Sequence, residues 1–220
     1  MSEEPGGAVG DAAGPLTFVA ERIIVFVDAV VAIAMTLLIL PLMESVADVA
    51  DAEGGAGEWF ARHDQQLVSF VLSFVIIAMF WISHHRLFAK VERVTVPLLC
   101  ISMAWLLTIV WLPVATAMSG RFSDGDAVVK AVYVGSMIAT CLVTLATRLY
   151  LARNPELHAI SGTELRGGTA VDIAMASLFA AALVLAVTVP GVGYFALFLM
   201  FLVGPVQNLV ARRLGVPRRA

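Results

Sequence analysis

The chain has 220 residues, of which 60% are hydrophobic and only 14% are charged, and its mean hydropathy is +0.91. Soluble domains carry about 25% charged residues, so this composition excludes an ordinary water-soluble domain and indicates an integral membrane protein. The formal net charge of -3 excludes the basic surface of a nucleic-acid-binding protein, and no nucleic-acid partner is expected. Cys100 and Cys141 lie in apolar stretches without CxxC spacing and are interpreted as small buried hydrophobic residues.

The order of the apolar segments predicts the fold. Residues 1–15 are acidic and rich in glycine and alanine, and they lack the basic start of a signal peptide, so we expect a retained, disordered tail. Six segments that could each span a bilayer as a helix follow: 17–42, 66–83, 94–118, 128–150, 170–189 and 191–211. The last two are separated by a hairpin predicted at 190–193. We therefore expect an all-α, six-helix transmembrane domain over residues 16–211 and a basic tail over 212–220.

Cations and anions divide unequally between the loops. Three of the 14 lysines and arginines, Arg62, Arg121 and Lys130, fall in the first and third loops, and the others fall near the termini and in the second and fourth loops. The positive-inside rule then predicts that both termini are cytoplasmic. The opposite side carries eight acidic residues: Glu44, Asp48, Asp51, Glu53, Glu58, Asp64, Asp124 and Asp126. They form either solvated acidic loops, the simpler interpretation, or a mouth that concentrates cations.

Charged residues inside spans are candidate functional groups. Arg22 and Asp28 lie six residues apart in the first helix, about 9 Å along its axis, and could share partners on a neighbouring helix. The second helix ends in Trp81, His84 and His85 at the same level, so we expect a polar network that joins the two helices. A metal or catalytic site is the alternative. Adjacent helical residues point about 100° apart, however, and no ligand set is complete, so we expect no metal-binding or catalytic residue.

One face of the first helix carries an aliphatic stripe. Val30, Ile33, Leu37 and Leu40 recur at i, i+3, i+7 and i+10, and Thr36 lies at the edge of the stripe. By periodicity alone, such a stripe could face lipid, pack inside a bundle or line a pore.

Residues 22–41 resemble the first-helix signature of the transmembrane protein 175 family of potassium channels. The pattern is an arginine, three residues, Phe-Ser-Asp, an isoleucine five residues later and a threonine three further on. The matching residues are Arg22, Phe26, Asp28, Ile33 and Thr36, and Trp81, His84 and His85 resemble second-helix positions of the family. Val27 departs from the pattern, because it stands where the family has serine. A literal Phe-Ser-Asp at 122–124 lacks the flanking pattern and is interpreted as a coincidence.

The resemblance implies a homotetrameric channel with K⁺ as the permeant ion and no cofactor, in which the first helix of each subunit lines a central pore. Ile33 would form the narrowest ring, Leu37 and Leu40 further rings, and Thr36 would lie near the constriction. The polar network would then comprise Arg22, Phe26, Asp28, Trp81, His84 and His85, and it would hold the pore helix in place. There is no TVGYG-like filter sequence, so a moderately selective aliphatic filter that also gates by dewetting is expected.

Two alternative functions stay open at this stage. A secondary transporter would need a broken helix, for which Pro113 and Gly204-Pro205 are the candidates. A membrane-embedded metal-dependent enzyme would need further ionisable groups, and Asp172 is the only other acidic residue within a span. The excess of arginine over lysine and the abundance of alanine and valine favour a multi-pass protein in contact with lipid in a bacterial plasma membrane.

Overall fold

The computed structural model describes residues 17–49, 55–122, 126–189 and 193–215. The predicted tail at 1–15, hairpin residues 190–192, the tail residues 216–220, and Asp51, Glu53, Ser123 and Asp124 lie outside these ranges. The elements in chain order are β1 (Thr17–Val19), α1 (Ala20–Leu37), α2 (Leu40–Val49), α3 (Ala56–Arg62), α4 (Asp64–Phe88), β2 (Arg93–Thr95), α5 (Val96–Arg121), α6 (Ala127–Arg153), a 3-10 turn (Pro155–Leu157), α7 (Gly162–Thr188), a 3-10 helix (Gly193–Leu202) and α8 (Val203–Arg213).

The first predicted helix, 17–42, is divided in the structure. α1 ends at Leu37, two residues form a turn, and α2 begins at Leu40. Pro41 explains the break, because it has no N–H to donate to the carbonyl of Leu37 and its ring clashes with that carbonyl in a continuous helix. The amide of Ile39 bonds instead to the carbonyl of Thr36, at 3.3 Å. The prediction of one uninterrupted helix is therefore wrong at Leu38 and Ile39.

Backbone hydrogen bonds join several segments at one end of the bundle. β1 pairs antiparallel with β2, with Thr17 opposite Thr95. The N–H of Glu92 donates to the carbonyl of Leu157 at 2.8 Å, and the N–H of Ala159 donates to the carbonyl of Lys90 at 2.9 Å. The N-terminal strand and the second and fourth loops thus meet at the same end of the bundle. The clustering of lysines and arginines in these segments predicts the same arrangement. Which side of the membrane this end faces stays a prediction.

The two strands correct the sequence-based helix boundaries. Residues 17–19 and 94–95 were expected to belong to helices, but they form the only sheet in the described ranges. Their β-branched and aromatic side chains favour extended backbone at a helix entrance. The all-helical class holds for the rest of the described chain, and the protein is a multi-pass membrane protein.

Five helical segments in the described ranges are long and apolar enough to cross a bilayer: Ala20–Val46, Asp64–Phe88, Val96–Arg121, Ala127–Arg153 and Gly162–Thr188. The sixth predicted segment differs, because it begins as the 3-10 helix Gly193–Leu202 and continues as α8. The sixth span stays a prediction. Arg212 and Arg213, which the sequence assigned to the tail, belong to α8, whereas Pro113 lies inside a continuous α5.

Polar side chains link the helices inside the bundle. The hydroxyl of Thr116 on α5 donates to Ser73 Oγ on α4 at 2.8 Å, and Ser73 lies 2.8 Å from the hydroxyl of Tyr133 on α6. The indole N–H of Trp105 donates to Thr144 Oγ1 at 3.1 Å. Because lipid tails are as apolar as leucine, such hydrogen bonds and close packing decide how helices associate in a bilayer.

We expect Pro41→Ala to join α1 and α2, because alanine can donate its N–H to the carbonyl of Leu37 without a ring clash. Amide hydrogen exchange of residues 38–43 should slow by at least about tenfold. Pro97→Ala is the matched control, since Pro97 lies in the first turn of α5, where an N–H has no acceptor within the helix. Unchanged exchange in Pro41→Ala would show that packing, not proline, imposes the break.

Candidate functional site

α1 has two contrasting faces. Val27, Val31 and Ala34 are each 1% exposed and belong to the hydrophobic core. The predicted aliphatic stripe lies on the other face, where Ile33 is 59% exposed and Leu37 is 39% exposed. The described chain therefore leaves Ile33 and Leu37 uncovered, whereas Val30, the first residue of the predicted stripe, is partly buried and packs against the core.

The helix break changes the geometry of this stripe. Leu40 is 46% exposed but belongs to α2, so it does not continue the regular spacing of Ile33 and Leu37. Thr36 is also exposed, and its hydroxyl donates to the carbonyl of Ile33 at 2.7 Å. The last turn of α1 is thus anchored by this threonine immediately before the chain turns.

A carboxylate joins α1 to α4. The indole N–H of Trp81 donates to Asp28 Oδ1 at 2.7 Å. His85 Nδ1 lies 3.4 Å from both oxygens of the same carboxylate. These three side chains form the polar cluster that links the two helices. Asp28 lies on a flank of α1, apart from the aliphatic stripe.

The other residues predicted for this network lie elsewhere. Arg22 is exposed and has no hydrogen-bond partner among the described residues, and Phe26 is 52% exposed. Arg22 and Phe26 lie on the same face of α1 as Ile33, because the three residues are spaced at i, i+4 and i+11. His84 is buried and stacks between Phe88, at 4.3 Å between ring centroids, and Trp105, at 4.1 Å. The predicted six-residue network is therefore not one cluster.

Val27, at the position where the family signature has serine, is part of the apolar core. A valine side chain cannot form the hydrogen bond of a hydroxyl group. In this chain the position contributes apolar packing between α1 and the helices behind it.

An ion pair that the sequence analysis did not predict joins α6 to α7. Arg148 Nε donates to Asp172 Oδ2 at 2.6 Å, and the side chains are 11% and 5% exposed. Arg148 also reaches Ser83 on α4, at 3.4 Å. The sequence contained a signal for this pair, because an acidic residue within a span requires a partner and Arg148 lies in the last turn of the preceding predicted span, 128–150.

Gly168 makes room for this arginine. A Cβ atom at Gly168 would lie 2.2 Å from Arg148 Nη1, a distance at which the guanidinium must move. The close approach of α6 and α7 at the ion pair thus depends on a residue without a side chain.

The acidic side chains of the opposite end have structural partners. Among the acidic side chains that the structure describes there, Glu44 pairs with Arg121, Glu58 pairs with Arg62, Asp64 accepts the N–H of Gln65, and Asp126 accepts the N–H of Val128 at the start of α6. Pairing reduces the field available to attract free cations. The structural interpretation of these residues is favoured. Within the described ranges, no group of three His, Cys, Asp or Glu side chains could hold a metal ion.

We expect Asp28→Ala to destabilise the protein by about 1–2 kcal/mol, because it leaves the Trp81 N–H and His85 without their shared acceptor. Thermal unfolding in detergent measures the effect. Glu21→Ala is the control, since Glu21 is an exposed acidic residue of the same helix. Wild-type stability combined with altered ion selectivity would assign Asp28 to the ion pathway instead.

Gly168→Ala should displace the Arg148 guanidinium and lower stability by about 1–3 kcal/mol. Gly167→Ala is the matched control, because a Cβ atom there has no neighbour within 4 Å and alanine favours a helix by about 1 kcal/mol. Equal melting temperatures for the two variants would show that the arginine adapts without cost.

Comparison with known proteins identifies the family. The family model described as endosomal/lysosomal potassium channel TMEM175 matches residues 22–113, which include α1 and the polar cluster. A potassium channel of Streptomyces collinus is 34% identical over 141 residues, which cover 62% of this chain and 66% of that protein. The human endosomal/lysosomal proton channel TMEM175 is 28% identical over 125 residues, 54% of this chain and 23% of the human protein.

A solved structure gives the same fold. The crystal structure of a lysosomal potassium-selective channel TMEM175 homologue from Chamaesiphon minutus matches with a TM-score of 0.65 at 22% identity, covering 89% of this chain and 97% of that chain. These relatives are channels, which excludes the enzyme alternative. The signature on α1, the family match and the shared fold lead to one conclusion: the chain belongs to the TMEM175 family of potassium channels.

Proposed function

We propose that this protein is a moderately selective potassium channel in which α1 of each of four identical subunits lines a central pore. The observation that carries the proposal is the uncovered aliphatic face of α1, centred on Ile33, in the helix that bears the family signature. One face of α1 packs inside its own subunit, so the opposite face is free to meet the symmetry axis of an assembly.

The chemistry of the stripe determines how ions would pass. An aliphatic ring at Ile33 offers no oxygen ligands, so a cation there keeps its water or loses part of it. K⁺ is larger and more weakly hydrated than Na⁺, so removing part of its water at the constriction costs less hydration free energy. Such a ring discriminates moderately, and it closes by dewetting when it narrows. Leu37 and Leu40 add further rings, and Thr36 adds the nearest hydroxyl.

The helix break at Leu38 and Ile39 supports a mobile constriction. A turn in place of two helical residues divides the pore-lining segment into α1 and α2, directly beyond Leu37. Small changes in the angle between the two helices would then move Leu40 relative to Ile33. Hinges of this kind need only a few residues that absorb changes in backbone dihedral angles.

The polar cluster has a positioning role in this proposal. Asp28 fixes α1 against α4 through Trp81, on a flank away from Ile33, so its carboxylate does not bind the permeant ion. We also propose that both termini are cytoplasmic, which the distribution of arginines and lysines supports, and that the channel resides in a plasma membrane.

The decisive experiment is electrical recording from purified protein in liposomes. With K⁺ on one side and Na⁺ on the other, the wild type should carry passive current that reverses near the K⁺ equilibrium potential. Ile33→Asn should move the K⁺/Na⁺ permeability ratio towards one, because the amide offers polar ligands to both ions. Val184→Asn is the matched control: Val184 is 60% exposed on α7, and its replacement should leave the ratio unchanged.

Each alternative function has its own result in the same recordings. A current that requires a second ion gradient would replace the channel proposal with the coupled-transporter alternative. The vertebrate relatives are named proton channels, so a pH gradient is imposed with K⁺ absent. Current only under this condition would identify a proton channel.

Two further results would contradict parts of the proposal. An unchanged permeability ratio in Ile33→Asn would exclude Ile33 as the filter, and native mass spectrometry that finds no tetramer would exclude the four-subunit assembly.

A further inference from the structure

A cleft of about 960 Å³ opens at the end of the bundle where β1 and β2 lie. It lies between α4, α6, α7 and α8, on helix faces that do not include the stripe of α1. Its size is at the upper end of the range, about 300–1,000 Å³, that small-molecule pockets occupy. We call it the basic cleft, for the four cations that line it: Arg86, Lys90 and Arg212, which are exposed, and Arg148, which is nearly buried.

The charges in the basic cleft do not balance. Two of its cations are neutralised, because Lys90 Nζ lies 2.6 Å and 2.8 Å from the two oxygens of Glu164, and Arg148 pairs with Asp172. Arg86 and Arg212 also line the cleft, and neither has an acidic or hydrogen-bond partner among the described residues. The mouth therefore presents two free guanidinium groups, whose geometry suits the oxygens of a phosphate group.

The cleft changes character with depth along α4. Arg86 and Lys90 lie at its mouth, and Met79 lies seven residues before Arg86, about 10.5 Å deeper along the helix axis. The deep part is completed by Cys141 of α6 and Met175 of α7, both one or two turns inside the charged residues of their helices. A charged mouth above an apolar floor matches a molecule with an anionic head and a hydrocarbon chain.

We propose that the basic cleft binds an anionic phospholipid, with its phosphate on Arg86 and Arg212 and one acyl chain along Met79, Cys141 and Met175. Basic pockets between transmembrane helices are sites of this kind for lipid headgroups. The apolar floor between membrane-spanning helices favours a lipid over free phosphate, which has nothing to place there. The proposal concerns binding only and does not depend on what the pore conducts.

The test measures lipid bound to the intact protein in mild detergent. Native mass spectrometry, with phosphatidylglycerol and phosphatidylcholine supplied in equal amounts, should show preferential retention of phosphatidylglycerol by the wild type. The double variant Arg86→Gln/Arg212→Gln should bind phosphatidylglycerol about 30-fold more weakly, since each basic residue near the membrane surface contributes a severalfold effect. Each single variant should show a smaller loss.

The matched control has the same change in charge. Arg166→Gln/Arg213→Gln removes two exposed arginines of α7 and α8 that do not line the cleft, and it should retain the wild-type preference. The assignment of the lipid site to Arg86 and Arg212 would be wrong if the Arg86→Gln/Arg212→Gln variant still preferred phosphatidylglycerol. It would also be wrong if only the Arg166→Gln/Arg213→Gln control lost that preference. A monodisperse elution profile in size-exclusion chromatography establishes that each variant is folded.

A second measurement separates lipid from its headgroup. Phosphatidylglycerol should raise the melting temperature of the wild type by mass action and should not raise that of Arg86→Gln/Arg212→Gln. Inorganic phosphate at millimolar concentration should have no effect on either protein. If phosphate alone stabilised the wild type as phosphatidylglycerol does, the cleft would be an anion site without a role for the acyl chain, and the lipid proposal would be wrong.

Discussion

The division of α1 into a buried face and an uncovered face is the constraint on which the architecture depends. In a bilayer, apolar side chains gain little by leaving lipid for another helix, so polar contacts and close packing must define which face turns inward. Here the small and branched residues Val27, Val31 and Ala34 allow close packing, and the hydrogen bond from Trp81 to Asp28 fixes the rotation of the helix. Once that rotation is fixed, Ile33 can only face away from its own subunit.

The remaining helices are held by the same kind of interaction. Hydroxyl groups link α4, α5 and α6, and the Arg148–Asp172 ion pair links α6 to α7. An unpaired charge or donor in hydrocarbon is costly, so each such pair selects one arrangement of helices from many with similar apolar contacts. A scaffold fixed in this way can hold one face of α1 away from the other helices of the same chain.

The two ends of the bundle use charge differently. At the end that carries the small sheet, the Arg86 and Arg212 side chains have no acidic or hydrogen-bond partner among the residues that the structure describes. At the other end, the described acidic side chains are paired with arginines or accept backbone N–H groups. These partnered carboxylates are therefore less able to attract free cations, in keeping with the proposal that selectivity comes from ion hydration at the aliphatic constriction.

The sequence by itself determined the membrane class, five of the spanning helices, and the identity of the α1 signature, because apolar run length and residue order depend only on local chemistry. It also predicted a contact between Asp28 and the end of α4, since an acidic residue in a span needs a partner. Only the tertiary structure stacked His84 between Phe88 and Trp105 and paired Arg148 with Asp172. Those outcomes depend on the relative rotation and depth of helices far apart in the chain, which no local pattern specifies.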